Sequence, residues 1–226
     1  MLKVEHLSKD YGRVHPVRDI SFTLEKGEVL GLLGANGTGK STTLNMLAGF
    51  FPPTGGTITL NGADIQKLPL EYKKQMGYLP EFPPLYPDMT VREQLYMVCS
   101  VRNIPRKKRN GEIERVCGLS RITDVIDRPV KTMSKGYKQR IGLAQALVGD
   151  PELLILDEPT SGLDPRQIID IRELIRDLGK DHAVIISSHI LSEIASVSTR
   201  ILVLNDGCIA ADAPSDELLS TPSGPA

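Results

Sequence analysis

The chain has 226 residues, 40% of them hydrophobic, enough to bury the core of one compact domain or of a domain with an attached lobe. Its 27 basic and 28 acidic side chains leave a formal charge of -1, which excludes a global field for nucleic acid or an acidic membrane surface and confines any such contact to a local patch. The longest apolar runs fall far short of the roughly 18 residues needed to cross a bilayer, so no transmembrane segment is expected.

The first ten residues carry Lys3, Glu5, His6 and Lys9 with no apolar stretch behind a basic start, so no signal peptide is expected and the protein should stay in the cytoplasm. Cys99, Cys117 and Cys208 are odd in number and lack metal-ligand spacing, which fits reduced cytosolic thiols. Residues 1–30 alternate apolar and polar positions in short runs. Thr57-Ile58-Thr59-Leu60 alternates again before Asn61-Gly62, a strong hairpin dipeptide, so an antiparallel β layer is predicted. Between them Val29-Leu30-Gly31-Leu32-Leu33 is almost continuously apolar, as a strand covered on both faces should be. A helix should follow from Lys40, with Leu44, Leu47 and Ala48 on one face and Gly49 placed to stop it.

From about residue 75 to 150 the pattern becomes helical after a Pro-rich stretch at 80–87, which predicts a helical lobe. Within it Arg102, Arg106, Lys107, Lys108 and Arg109 form a basic run. That run is either a solvated helix face or loop, or a contact with a membrane-embedded partner or anionic head groups. Residues 153–156 and 183–186 then predict two buried strands around a helix at 166–178, the alternation of a parallel sheet. Asn205-Asp206-Gly207 predicts a last hairpin, and residues 221–226 an unstructured tail.

Three segments carry chemistry. Gly34-Ala35-Asn36-Gly37-Thr38-Gly39-Lys40-Ser41 is a glycine-rich phosphate loop, in which glycines let successive N–H groups curl around an anion at the positive end of the following helix. Lys40 is placed to reach β and γ phosphates, and the Ser41 hydroxyl to ligate Mg²⁺. Alone, this motif specifies only a bound nucleoside triphosphate. Leu153-Leu154-Ile155-Leu156 ends in Asp157-Glu158, two carboxylates at the carboxyl end of a strand, the first suited to Mg²⁺ and the second to a water nucleophile. Met133-Ser134-Lys135-Gly136-Tyr137 opens a helix with Ile141, Ala144 and Val148 on one face. Its Ser134 is either an ordinary helix cap or, with the Gly136 N–H, an anion donor.

In that order these segments resemble the ATP-binding cassette family over roughly residues 2–219, and Gln139 to Leu147 match it as well. The resemblance implies an α/β P-loop NTPase fold: a mainly parallel core sheet, an antiparallel β layer and an inserted helical lobe, with one domain over 1–220 and the lobe at 75–150. It implies an ATPase with Lys40, Glu158 and His189 as its catalytic residues, His189 being the switch histidine that contacts the γ-phosphate. It implies nucleotide contacts from Tyr11 under the adenine and from Gly34, Asn36, Gly37, Thr38, Gly39, Lys40, Ser41 and Thr42. Ser134 and Gly136, with Asp164 of the D-loop Ser161-Gly162-Leu163-Asp164, would act across a dimer. Mg²⁺ would take Ser41, Glu81 and Asp157. The family signature is Leu-Ser-Gly-Gly-Gln, of which this chain keeps Ser134 and Gly136. Glu81 stands where glutamine is usual, which resembles bacterial cassettes serving type-2 ABC exporters and similar multidrug and gliding-motility systems.

The implied partners are ATP, a second copy of the chain in a homodimer, and integral membrane permease subunits, with the chain peripheral on the cytoplasmic face of the membrane, export as its task and no nucleic acid. A soluble cassette ATPase acting on ribosomes or DNA is the rival, disfavoured because the chain has one cassette and no heptad array. A P-loop kinase would need neither the signature nor His189.

Overall fold

A computed structural model describes residues 1–220. The expected tail at 221–226 lies outside the described residues. The chain runs β1 (Leu2–Tyr11), β2 (Val14–Leu24), β3 (Val29–Leu33), α1 (Lys40–Leu47), β4 (Gly55–Leu60), β5 (Ala63–Asp64), α2 (Pro69–Lys74) and β6 (Met76–Leu79). It continues through α3 (Val91–Val101), α4 (Arg109–Leu119), α5 (Lys135–Leu147), β7 (Leu153–Leu156), α6 (Pro165–Leu178), β8 (Ala183–Ser188), α7 (Leu191–Ala195), β9 (Arg200–Asn205), β10 (Cys208–Pro214) and α8 (Ser215–Ser220).

The strands make two sheets. One is antiparallel, in the order β2-β1-β4-β5; the other runs β10-β9-β3-β8-β7-β6 and is parallel except for its β10 edge. Successive residues of a strand point to opposite faces. Leu153 and Ile155 of β7 accordingly pack in the cluster formed by the antiparallel sheet with α1 and α2, while Leu154 and Leu156 pack in the cluster formed by the later helices. Ala183 and Ile185 of β8 divide from Val184 and Ile186 in the same way. Both faces are buried, which is why these strands read as unbroken apolar runs.

In β1 the buried positions are Leu2, Val4 and then Leu7, a phase slip produced by a bulge where His6 has φ 50°. The β4–β5 hairpin turns at Asn61 and Gly62 with φ 48° and 82°, the pair of positive values that a two-residue hairpin of this kind requires.

One expectation needs correction. Met76–Leu79, placed by sequence at the head of the helical lobe, is the edge strand of the core sheet, paired in parallel with β7 from Met76↔Leu153 to Leu79↔Leu156. Its four residues are too short to show a period, and Gly77 weakens the strand pattern. The glycine has a steric reason: a Cβ there would lie 2.1 Å from the Ala146 carbonyl oxygen, because α5 lies directly on β6.

The basic run is divided by the fold. Arg102 donates to the carbonyls of Lys73 (3.0 Å) and Met76 (2.6 Å), fastening the end of α3 to α2 and β6. Arg109 donates to Ile104 O and Ser100 Oγ and stacks 4.9 Å from the Tyr96 ring centroid. Lys107 and Lys108 stay exposed. Among the described residues no helix is long and apolar enough to cross a membrane.

Gly77→Ala is expected to destabilise the chain by about 1–3 kcal/mol, since a backbone carbonyl cannot yield as a side chain can. Gly118→Ala on α4, where a Cβ would meet nothing within 4 Å, is expected to stabilise it by about 0.5–1 kcal/mol. Urea unfolding of both variants checks the pair; equal and small shifts would count against close α5–β6 contact.

Candidate functional site

Four neighbouring strands deliver the candidate residues, all from their carboxyl ends, where ligands of such sheets bind. The register sets their relative heights: Leu33 lies opposite Ser188, Leu156 opposite Ile186, and Leu79 opposite Leu156. The residues that follow are therefore side by side: the glycine loop after β3, His189 after β8, Asp157 and Glu158 after β7, and Glu81 two residues past β6. They line one cleft of about 420 Å³ together with Pro16, Asn36, Gly37, Gly39, Lys40, Ser41, Thr42 and Ser161. That volume is within the range of small-molecule sites.

The loop depends on backbone shapes that only glycine takes easily. Gly37 and Gly39 have φ of 85° and 102°, and a Cβ on Gly39 would sit 2.2 Å from the Pro16 carbonyl oxygen of β2. Lys40 is buried, and its ammonium donates to the carbonyls of Gly34 (2.6 Å) and Ala35 (3.0 Å). The first turn of α1 contains no acidic residue, so its free N–H groups and the Lys40 charge present a positive end that the helix itself does not offset. Anion binding is the chemistry such an end supplies.

The acids oppose it. Asp157 Oδ1 accepts from Ser187 Oγ at 2.7 Å, and the Glu158 N–H donates to that same hydroxyl at 2.9 Å. Burial, with the charge of Glu81 added, holds the Asp157 carboxyl above the ordinary aspartate range, against the lowering effects of the Ser187 hydrogen bond and of Lys40. Glu81 Oε1 accepts from Ser161 Oγ at 3.0 Å. His189 Nδ1 is 3.1 and 3.2 Å from the two Glu158 oxygens, so the histidine lies against the carboxylate suited to activating water. Glu158 itself has φ 45°, an unusual backbone for a non-glycine residue. Among the described residues no group of three or more His, Cys, Asp or Glu could hold a metal by itself. Ser41, Glu81 and Asp157 are hard oxygen donors, the set for a cation that keeps waters and shares phosphate oxygens.

The cleft does not gather every candidate. Tyr11, Gly34, Thr38, Ser134, Gly136 and Asp164 are not among its lining residues. Tyr11 is 52% exposed, edge-on to Phe51 with centroids 6.2 Å apart, and Lys9 Nζ lies 5.1 Å from its ring centroid. Ser134 caps α5 by accepting from the Tyr137 N–H at 3.3 Å, and Asp164 caps α6 by accepting from Gln167 at 3.0 Å. Gly136 is buried against Gln167, where a Cβ would meet that side chain at 2.7 Å, so the N-terminal ends of α5 and α6 are neighbours. Sequence reasoning missed Ser187 and Pro16. Ser187 left one signal, a hydroxyl ending an apolar buried run two residues before His189.

The family model described as ABC transporter matches residues 17–161, which include the glycine loop, Glu81, Ser134 and both strand-end acids. The bacitracin transport ATP-binding protein BcrA of Bacillus licheniformis is 38% identical over 220 residues, covering 96% of this chain and 71% of that protein. The linearmycin resistance ATP-binding protein LnrL of Bacillus subtilis (strain 168) is 37% identical over 228 residues, with 99% and 72% covered. Among solved structures, cbiO1 from Clostridium perfringens, described as part of the ABC transporter complex cbiONQ, superposes with a TM-score of 0.87 at 27% identity, covering 97% of this chain and 90% of that one.

The raised pKa of Asp157 makes a pH prediction. A group raised on folding favours the folded chain when protonated, so its contribution is complete below the ordinary Asp value of about 3.9 and is lost as pH rises through the raised value. Without nucleotide or metal, Asp157→Asn, which resembles the protonated acid and still accepts from Ser187, is expected to melt higher than wild type at pH 7. The gap should close as pH falls into that window. A gap independent of pH would show that the charge on Asp157 is not costly.

Proposed function

The chain belongs to the ABC transporter family as an ATP-binding subunit, and from that premise we propose that it works as half of a two-fold dimer, each ATP lying between the cleft of one copy and the Ser134 end of the other. The observation that carries this is the division of the candidate residues into two sets on one chain. The cleft holds the phosphate loop and the acids, whereas Ser134, Gly136 and Asp164 lie at adjoining helix ends outside it. A two-fold axis that faces one set with the other completes two equal sites.

In this site Lys40 leaves the Gly34 and Ala35 carbonyls for the β and γ phosphates, a stronger charge-assisted pairing. The α1 amides and the Ser41 and Thr42 hydroxyls hold the remaining oxygens, and Tyr11 supports the base. Ser41, Asp157 and Glu81 would hold Mg²⁺, which would supply neutralisation of phosphate charge. Glu158 takes the proton of the attacking water, a contribution of about 10²–10⁴-fold for a positioned base, and His189 orients Glu158 and meets the γ-phosphate. Closure on ATP and opening after hydrolysis supply the stroke.

The work is done on membrane permease subunits, which places the chain on the cytoplasmic face of the membrane. The names of BcrA and LnrL, a bacitracin transport protein and a linearmycin resistance protein, favour export. That cbiO1 is part of a transporter complex favours assembly with other subunits.

Two experiments test this. Lys40→Ala is expected to weaken ATP binding, whereas Glu158→Gln keeps binding, loses about 10²-fold or more in turnover, and accumulates as a dimer with ATP and Mg²⁺ in light scattering. Glu158→Gln that remains monomeric at saturating ATP would count against the sandwich. Mixing Lys40→Ala with Ser134→Arg chains should restore part of the activity that each lacks alone, because one site in the mixed dimer is then sound. Normal hydrolysis by Ser134→Arg alone would remove the signature from the site.

A further inference from the structure

Two buried hydroxyls flank the chemistry without lining the cleft. Thr160 lies two residues past Glu158, and Ser188 immediately precedes His189; they are 4% and 1% exposed. Both donate to one atom, Oε2 of Glu193, from 2.7 Å (Thr160 Oγ1) and 3.1 Å (Ser188 Oγ). The Ser188 hydroxyl also accepts the Ile190 N–H at 3.1 Å, so the turn just after His189 is built on the same contact. Glu193 belongs to α7, and its other oxygen is 3.8 Å from Arg172 Nη2 in α6, the helix that Asp164 caps.

The arrangement is expensive. A carboxylate largely removed from water must be satisfied by donors, and the Arg172 Nε is buried with no hydrogen-bond partner, a cost of about 1–3 kcal/mol. Apolar side chains at these positions could fill the space more cheaply. What they could not do is fix the distance between two loops through a shared acceptor.

We propose that Glu193 is a positioning residue that ties the loop running from Thr160 to Asp164 to the loop carrying His189, so that the D-loop end of α6 and the His189–Glu158 contact move as one body. It acts through Thr160 and Ser188 and touches no substrate. The consequence for catalysis rests on the roles proposed for Glu158 and His189; the mechanical tie does not.

Hydrogen–deuterium exchange of the nucleotide-free chain, alongside ATPase kinetics, tests both. In Glu193→Ala, amide exchange should quicken in two separated segments, 160–164 and 188–190. Turnover should fall about 10–100-fold, the scale of a misplaced catalytic group, while KM changes by less than about threefold. Glu193→Gln keeps an oxygen that can accept both hydroxyls and should stay near wild type. Thr160→Val, close to isosteric, should quicken exchange in both segments and slow turnover even if Glu193→Ala folds poorly, and Thr160→Ser should behave as wild type. Combining Thr160→Val with Glu193→Ala should cost no more than Glu193→Ala alone. Faster exchange confined to 190–196, or losses that multiply in the double variant, would overturn the tie. A Glu158→Gln control that hydrolyses ATP at the wild-type rate would instead overturn the proposed chemistry, and the exchange pattern would still decide the tie.

Discussion

The register of four adjacent parallel strands is the constraint on which the site depends. A slip of one residue in β7 would turn Leu154 and Leu156 away from the later helices and bring Leu153 and Ile155 against them. It would also move Asp157 away from Ser187 and Glu158 away from His189. Because both faces of the sheet are buried, no slipped register keeps an apolar side chain on each face in its packed place. The chemistry therefore inherits its precision from the core rather than from the loops. Gly77 shows how far this goes: the α5 backbone lies on β6 itself, so the helical lobe and the strand leading to Glu81 share one packing contact.

At the strand ends the charges are arranged to conflict until a ligand resolves them. Glu81, Asp157 and Glu158 border one cleft with Lys40, yet Lys40 spends its donors on the carbonyls of its own loop. Asp157 consequently stays partly uncompensated, and burial raises its pKa. A bound polyphosphate with a divalent cation would remove both defects together, giving Lys40 an anion and the carboxylates a cation. A glutamate at position 81 adds to the repulsion on Asp157, and its carboxylate accepts from Ser161 in the loop after β7.

Much of this was legible in sequence because its causes are local. The Asn61-Gly62 turn, the αL glycine after α1 and the apolar strands each follow from backbone sterics or a repeat that a short window contains. β6 is strand-like in sequence yet falls to the helical lobe there because a strand of four residues holds too little pattern, and its place in the core sheet rests on its pairing with β7, more than seventy residues away. The basic run was ambiguous for a similar reason: the partners of Arg102 are backbone carbonyls of α2 and β6, which have no signature in side-chain chemistry. Ser187 and Glu193 were invisible as site residues because their importance is a shared hydrogen bond between loops far apart in the chain.

Ser134 shows why two opposed interpretations of one residue can both be physically sound. As the cap of α5 its oxygen accepts the Tyr137 N–H, and nothing more is needed to explain a serine there. A hydroxyl, however, has one proton to donate besides the lone pairs it accepts with. Capping orients the oxygen inward to the helix and leaves that proton free to point outward, along the positive end of a helix whose first turn contains Lys135 and no acid. A lysine at that end is unfavourable in an isolated helix. An anion brought up to it would make it favourable, and Ser134 lies outside the lining of its own chain's phosphate-loop cleft. In the proposed dimer the charge at the start of α5 would meet the anion held by the Lys40 loop of a second copy.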